Sequence, residues 1–192
     1  MSLALVLGGG ASVWDDVERA FAIADFDYVV ACNDAGASWP GRLDAWVTLH
    51  PENMAGWRAR RDKRGFERPQ KIIFHETWES RVRGGQYIKP TDVAEFKFPG
   101  QTQSGSSGHF ATKVALEMFP VKGAVLCGIP MTVEDKHYFD ESPWSGARRH
   151  QTGWLESMDH LQGRVKSMSG QTMKWLGEPT LEWVASLKGD AQ

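Results

Sequence analysis

The chain has 192 residues, of which 41% are hydrophobic and 24% are charged, and these values are typical of one globular domain with a substantial core. Its formal net charge of −2 gives no overall basic character of the kind by which proteins bind nucleic acid. The sequence shows neither a signal peptide nor an apolar run of the roughly 18 residues that span a bilayer. Both cysteines lie in apolar segments, so we expect a cytoplasmic protein with reduced thiols and no membrane partner.

The first apolar segment, 3–7, leads directly into Gly8, Gly9 and Gly10, and an amphipathic segment begins after Ser12. This order predicts a buried parallel strand, a tight turn and a helix start. Glycines let backbone amides approach a ligand closely and a helix N-terminus favours an anion, so the pattern predicts a phosphate or nucleotide site. The spacing matches neither the dinucleotide fingerprint nor the P-loop, and the alternative is a packing turn with Ser12 as helix cap.

Apolar segments and helical periodicities alternate along the rest of the chain. The predicted strands are 3–7, 28–32, 45–49, 71–74 and 123–127, and the predicted helices are 15–24, 52–64, 108–119, 152–162, 171–176 and 180–187. We expect residues 77–100 to be irregular and residues 131–151 to form a long polar loop. Residues 131–170 as a whole are expected to form a mobile lid together with C-terminal helices. The alternation predicts an α/β fold, a single Rossmann-like domain over 1–192 with a mainly parallel sheet and helices on both faces.

Polar residues or glycines directly follow each of the five predicted strands. The carboxyl ends of parallel strands meet at one edge of the sheet, where ligands bind in such folds. Asn33 and Asp34 are therefore candidates for contacts to a ribose or base, with a simple turn as the alternative. His50 and His75 are candidates for substrate binding, with structural histidines as the alternative, and Gly128 follows the last strand. The cysteines lack the paired spacing of zinc ligands, so no metal site is expected.

Four small residues, Ser104, Gly105, Ser106 and Ser107, precede the helix predicted at 108–119. Successive free amides in such a turn predict a second anion-binding segment. A flexible loop with serine caps is the alternative. A serine nucleophile is not expected, because the segment is not the G-x-S-x-G elbow that follows a strand.

The expected polar loop carries His137, Tyr138, Arg148 and His150. Transfer of a group to a hydroxyl needs a base whose pKa lies near the working pH, and an unperturbed histidine meets that need. We expect His137 or His150 to be the catalytic base, with Tyr138 and Arg148 binding the substrate. A solvated polar loop is the alternative interpretation.

The helix predicted at 52–64 is strongly basic between Arg58 and Arg64. Such a face is normally solvated, and the alternative is a patch that binds a polyanionic acceptor such as nucleic acid. Nucleic acid is therefore not expected as a partner, except through this helix.

The motifs at the predicted strand ends, taken in order, also resemble those of a known family. They are Gly8-Gly9-Gly10-Ala11-Ser12, Cys32-Asn33, Leu49-His50-Pro51, Ser104-Gly105-Ser106-Ser107-Gly108 and Leu126-Cys127-Gly128-Ile129-Pro130. The set is similar to the motifs of the bacterial sialyltransferase-like fold, and equally to those of archaeal 6-hydroxymethylpterin diphosphokinase-like proteins and flagellin motility-associated factors. The resemblance covers most of residues 3–140. Ala11 replaces the usual proline, and Pro130 stands where many relatives have an acidic residue, which puts a metal or ribose role there in doubt.

The resemblance implies a group transferase that binds a nucleotide or nucleotide-sugar donor, most closely a glycosyltransferase of the sialyltransferase-like type. It implies a late-loop histidine as base, tyrosines at the leaving phosphate, and nucleotide contacts at Gly8, Gly9, Gly10, Ser12, Asn33, Ser104, Gly105, Ser106, Ser107 and Gly128. Two alternatives stay open: an Mg²⁺-dependent pterin diphosphokinase-like enzyme and a nucleotide-binding protein without catalysis. The sequence allows Mg²⁺ without requiring it, and it leaves the acceptor and the oligomeric state open.

Overall fold

The computed structural model describes residues 2–82, 87–133 and 135–189. Residues 83–86 of the stretch expected to be irregular, and residue 134 of the expected polar loop, lie outside the described residues. The strands are β1 (Leu3–Leu7), β2 (Tyr28–Cys32), β3 (Ala45–Thr48), β4 (Lys71–His75), β5 (Asp92–Ala94), β6 (Gly123–Cys127), β7 (Lys136–His137), β8 (Asp140–Pro143) and β9 (Val165–Ser167). The helices are α1 (Val13–Phe21), α2 (Asp34–Ser38), α3 (Met54–Lys63), α4 (Ser106–Met118), α5 (Ala147–Glu156), α6 (Met158–Leu161), α7 (Gly170–Leu176) and α8 (Leu181–Gly189).

Within the described residues, the main sheet has seven parallel strands in the order β5-β4-β3-β2-β1-β6-β9, and β7 and β8 form a separate antiparallel hairpin. From β1 the chain builds outward to β5 on one side, and it then returns to place β6 on the other side of β1. The boundary between β1 and β6 is therefore a topological switch point, where open α/β sheets bind ligands. The predicted fold class, a single α/β Rossmann-like domain with a mainly parallel sheet and helices on both faces, is confirmed.

Apolar side chains cover both faces of the sheet, which explains the continuous hydrophobic runs of the central strands. In β1, Ala4 and Val6 belong to the core under α4 and α5, together with Phe110 and Trp154. The alternate residues Leu3, Leu5 and Leu7 belong to the opposite core, under α1 and α3. Strand alternation thus divides a single apolar segment between two cores.

Several elements differ from the sequence prediction. The stretch expected to be irregular contains the parallel strand β5, and a further parallel strand, β9, lies between the C-terminal helices. The expected polar loop contains the β7–β8 hairpin, and α5 begins at Ala147, five residues before the predicted helix start. β8 is exposed along its length, so it lacks the polar–apolar alternation by which strands are recognised.

The interpretation of the basic helix α3 as a solvated face was wrong for Arg61, which is buried, whereas Arg60 and Arg64 are exposed but also contact α2. Arg61 is fully buried, and its guanidinium donates to the carbonyl oxygen of Gly36 at 2.8 Å. Arg60 pairs with Asp34, and Arg64 also donates to α2. These three side chains hold α3 against α2 and are not arranged as a free patch for a polyanion. Among the described helices, none combines the length and the apolar character needed to cross a membrane.

Candidate functional site

A cavity of about 340 Å³ opens at the carboxyl ends of β1, β2, β3 and β6, beside the N-terminus of α4. Its position is the switch point between β1 and β6, and its volume is in the range of small-molecule sites. The lining residues are Gly8, Gly9, Gly10, Cys32, Asn33, Leu49, His50, Ser106, Ser107, Gly108, Gly128, Ile129, Pro130, Met131, Asp135, Lys136, His137, Trp144, Arg149 and His150.

Backbone conformation points independently to the same cavity. In the part of the chain that the structure describes, three residues other than glycine have positive φ: Asn33 at 51°, Ser106 at 87° and Met131 at 49°. All three line the cavity. This backbone region is sterically unfavourable for residues with a Cβ, and residues held in it concentrate at functional sites.

The glycines that follow β1 pack tightly against the end of β6. A Cβ on Gly8 would lie 2.5 Å from the carbonyl oxygen of Gly128, and one on Gly10 would lie 2.6 Å from Cδ of Pro130. The amides of Gly8 and Gly10 donate to the carbonyls of Cys127 and Gly128, each at 2.8 Å. The amides of Gly8 and Gly10 are therefore not free to bind a phosphate, and these two glycines form the cavity wall by close packing.

The N-terminus of α4 supplies the electropositive end of the cavity through Ser106, Ser107 and Gly108. The first amides of a helix have no partner within it and carry the positive end of its dipole. An anion at this end of the cavity is consequently stabilised. Ser104 and Gly105 lie outside the lining. Gly105 is needed for the turn itself, because its Cβ would lie 2.4 Å from Cγ of His109.

His137 and His150 both line the cavity, and the indole of Trp144 lies 5.4 Å from the first ring and 6.1 Å from the second, between centroids. Nδ1 of His137 is 3.0 Å from the carbonyl oxygen of Gly9, and Nδ1 of His150 is 3.1 Å from that of Ser104. A carbonyl only accepts, so each Nδ1 carries the hydrogen and each Nε2 is the proton acceptor of the neutral ring. Burial lowers the pKa of His150, which keeps this ring neutral near pH 7.

One face of α5 holds the segment that leads into α4. His150, Gly153 and Glu156 are spaced by three residues and therefore lie on neighbouring turns of that face. The Glu156 carboxylate accepts from the amides of Thr102 and Gln103, both at 2.8 Å. A Cβ on Gly153 would lie 2.5 Å from the carbonyl oxygen of Gln103. The segment that leads into α4 is thus held by α5 at successive positions.

Asp34 and Tyr138 lie outside the lining and join the hairpin to α2. The Tyr138 hydroxyl donates to Oδ2 of Asp34 at 3.0 Å and contacts Oγ of Ser38 at 2.8 Å. Burial raises the pKa of Tyr138, so the phenol keeps its proton and remains a donor. The preceding residue, His137, forms an isolated bridge with Gly10. These contacts fix the hairpin beside the glycine turn.

Ser12 belongs to a buried network around Asp16 and does not line the cavity. The Asp16 carboxylate is 1% exposed and accepts from the Ser12 hydroxyl at 2.9 Å, the Ser169 hydroxyl at 2.6 Å and the Gly128 amide at 2.9 Å. The network therefore fixes the end of β6, which forms one wall of the cavity.

His75 and Arg148 also lie outside the lining. His75 is 5% exposed, its Nδ1 is 3.1 Å from the Thr77 hydroxyl, and burial lowers its pKa. Arg149, the neighbour of Arg148, takes the place in the lining that we expected for Arg148. The sequence-predicted residues that the structure does bring together are Gly8, Gly9, Gly10, Asn33, His50, Ser106, Ser107, Gly128, His137 and His150.

Sequence reasoning missed several residues of the site. Thr48 lies outside the lining, but its hydroxyl donates to Oδ1 of the lining residue Asn33 at 2.7 Å. It is the last residue of a buried strand, and nothing in the sequence distinguishes it from a core threonine. Met131 and Trp144 lie in the segment taken for a loop, where no periodicity indicates which residues turn inward. Within the described ranges, no group of three or more His, Cys, Asp or Glu side chains is arranged to hold a metal ion.

Comparison with known proteins finds similarity in fold and none in sequence family. No protein-family model matches the chain, and no curated protein matches it significantly. Two solved structures of the sialyltransferase CST-II are similar to it. One, a substituted variant with CMP, has a TM-score of 0.59 and 14% identity over 94% of this chain and 88% of that chain. The other, with a trisaccharide acceptor and CMP, has a TM-score of 0.58 and 13% identity over 93% of this chain and 87% of that chain. At this identity the likeness shows a sialyltransferase-like fold.

Proposed function

We propose that the protein binds a nucleotide or nucleotide-sugar donor in the cavity and transfers its glycosyl group to a hydroxyl. One observation carries the proposal: a single cavity at the switch point is lined both by the N-terminus of α4 and by two histidines whose Nε2 atoms are proton acceptors. An anion site next to a proton acceptor is what transfer from a nucleotide donor requires. The CMP in both CST-II structures makes CMP the first probe.

In this proposal the phosphate of the donor lies at the amides of Ser107 and Gly108, where Arg149 adds positive charge. The side chains of Leu49 and Ile129 supply an apolar surface for the nucleobase of the donor. Cys32 also lines the cavity, but burial raises its pKa to about 12, so it remains a thiol and is not a nucleophile.

His150 is the proposed catalytic base, because it is fixed on a helix, its Nδ1 is anchored and its ring is neutral. The acceptor hydroxyl attacks the anomeric carbon of the donor, and the carbon–oxygen bond to the nucleotide phosphate breaks. The nucleotide leaves with the bonding electrons, and Nε2 takes the hydroxyl proton. His137, on the other side of Trp144, is the second candidate base.

The test is a thermal-shift panel of CMP, UMP, AMP, GMP, ATP and CMP-activated sugars, with and without Mg²⁺, followed by chromatography of nucleotide released from the sugars. A ligand at 100 times its Kd adds about 2.7 kcal/mol of stability, which raises Tm by several degrees. We expect a shift with a pyrimidine nucleotide and slow release of CMP from a CMP-sugar without acceptor.

Two neighbouring arginines provide a matched pair of variants. Arg149→Ala removes a charge from the lining and is expected to weaken nucleotide binding about tenfold, while Arg148→Ala leaves the lining intact. Stabilisation by ATP only with Mg²⁺ would favour the diphosphokinase-like alternative, and binding without turnover would favour a non-catalytic protein. No shift with any nucleotide would refute the proposal.

A further inference from the structure

Asn33 satisfies all but one of its polar groups within the protein. Its backbone amide donates to the carbonyl of Val47 at 3.2 Å, and its own carbonyl accepts from the indole of Trp46 at 2.7 Å. Its side-chain oxygen accepts from the hydroxyl of Thr48 at 2.7 Å. In the portion of the chain that the structure describes, the side-chain NH₂ group alone has no partner, and Asn33 lines the cavity.

Thr48 determines which way the Asn33 amide points. Thr48 is fully buried, and its hydroxyl oxygen accepts from the amide of His50 at 2.7 Å. The hydroxyl therefore has one hydrogen to donate, and Asn33 Oδ1 receives it at the separation usual for O–H···O bonds. Rotation of the amide by half a turn would lose this bond and leave a buried hydroxyl proton unpaired, which is unfavourable.

We propose that Thr48 is a specificity-determining residue, because it fixes Asn33 as a hydrogen-bond donor towards the cavity. The ligand must then offer a hydrogen-bond acceptor at this point, which is a carbonyl or ring nitrogen of a base or an oxygen of a phosphate. A ligand that offers a donor there leaves two N–H groups facing each other and is rejected. This inference rests on the proposed function, since it takes a nucleotide as the ligand.

Two substitutions of Asn33 test whether its side chain acts as a donor or as an acceptor towards the ligand. The affinity for CMP is measured by calorimetry. Asn33→Ala removes the donor and is expected to weaken CMP binding about tenfold. Asn33→Asp keeps an oxygen for the Thr48 hydroxyl but presents a carboxylate oxygen where the NH₂ group was. It should bind CMP about tenfold more weakly than Asn33→Ala, because two acceptors then face each other.

The opposite order overturns the inference. If the ligand offered a donor, Asn33→Asp would bind CMP more tightly than Asn33→Ala, and equal affinity in all three proteins would show that Asn33 makes no contact. If the wild type binds no nucleotide at all, it is the proposed function that fails. Binding by the wild type together with the reversed order removes this inference alone.

Thr48 itself is tested by Thr48→Val, which keeps the shape and removes the hydroxyl, and by Thr48→Ser, which keeps the hydroxyl. We expect the valine variant to lose affinity about fivefold to tenfold and the serine variant to retain it. Inorganic pyrophosphate and UMP identify the acceptor. A loss confined to CMP assigns it to N3 of cytosine, a loss for CMP and UMP but not for pyrophosphate assigns it to the nucleoside that both share, and an equal loss for all three assigns it to phosphate. Wild-type affinity in a folded valine variant contradicts the role of Thr48, and if that variant does not fold, the Asn33 pair decides.

Discussion

At the scale of single residues, His137 and His150 owe their common tautomer to carbonyl groups in two different segments of the site. Gly9 belongs to the turn after β1, and Ser104 belongs to the segment before α4. The segments that form the cavity wall thus also orient the two candidate bases. A shift in either segment changes the direction of an Nε2 atom, and it therefore changes proton transfer as well as binding.

His150→Ala tests the assignment of the base. We expect kcat for release of CMP from a CMP-sugar to fall at least about 100-fold, because the variant lacks the proton acceptor that the proposal assigns to the reaction. The base acts when neutral, and burial lowers its pKa below the usual 6.5, so wild-type kcat should decline only as the pH falls below 6.5. The pH–rate profile of both proteins is the measurement. Loss of this acid limb in His137→Ala, with its retention in His150→Ala, would move the base to His137.

The sequence correctly identified site residues whose position follows from the end of a strand. It failed where the rotation of a residue around a helix axis decides whether its side chain faces the cavity. Asn33 and His50 directly follow the strands predicted at 28–32 and 45–49, so their place at the cavity was predictable. Arg148 and Arg149 differ by about 100° around a helix axis. Because the start of α5 was placed too late, the sequence offered no register from which to choose between them. Ser12 was recognised, but its partner Asp16, which directs it away from the cavity, was not.

At the scale of secondary-structure elements, α5 positions the entrance to α4 through both packing and hydrogen bonding. Gly153 lies where a Cβ would be 2.5 Å from the carbonyl oxygen of Gln103 and 2.6 Å from the amide nitrogen of Gly105. Both neighbours are backbone atoms, which cannot rotate away as a side chain does. The close approach of α5 therefore requires glycine at this position.

Gly153→Ala should separate α5 from this segment. We expect a loss of about 1–3 kcal/mol in the free energy of unfolding, as for overpacked sites, and weaker CMP binding because the α4 amides move. Urea unfolding and calorimetry measure the two effects. Gly56→Ala in α3 is the matched control: no atom of the described residues lies within 4 Å of its Cβ, so alanine should be neutral or stabilise by up to about 1 kcal/mol. Equal effects of the two substitutions would argue against the close contact.

The elements of the main fold that sequence reasoning missed are short. β5 and β9 have three residues each and occupy the two edges of the sheet, and α2 has five residues. Segments of this length show neither a full helical period nor a clear alternation. They form because longer neighbours provide an edge or a surface, which is tertiary information. The five longer apolar runs were recognisable as strands from the sequence alone, and they sufficed to predict the fold class.

At the scale of the whole molecule, one buried histidine links the core to acid stability. His109 lies on α4 without solvent exposure, between Phe98 and Trp154. The Ser157 hydroxyl donates to a backbone carbonyl, so its oxygen accepts from Nε2 of His109 at 2.7 Å, and Nδ1 is left as a bare acceptor. This Nδ1 is buried and has no partner among the described residues. Burial lowers the pKa of His109 to about 3.

Acid should therefore destabilise the whole fold through His109. The unfolded chain binds a proton at this residue near pH 6.5, whereas the folded protein does so only near pH 3, so stability is lost as the pH falls between these values. The loss approaches about 1.4 kcal/mol per pH unit, or about 2 kcal/mol between pH 7 and pH 5.

His109→Phe isolates this contribution, because phenylalanine keeps an aromatic ring beside Trp154 but does not titrate. Urea unfolding at pH 7 and pH 5 gives the pH dependence of each protein. His75 and His150, whose pKa values burial also lowers, are present in both proteins, and their contributions cancel in the comparison. The wild type should lose about 2 kcal/mol more than the variant between the two pH values. The same loss in both proteins would show that His109 takes up its proton in the folded state as readily as in the unfolded chain.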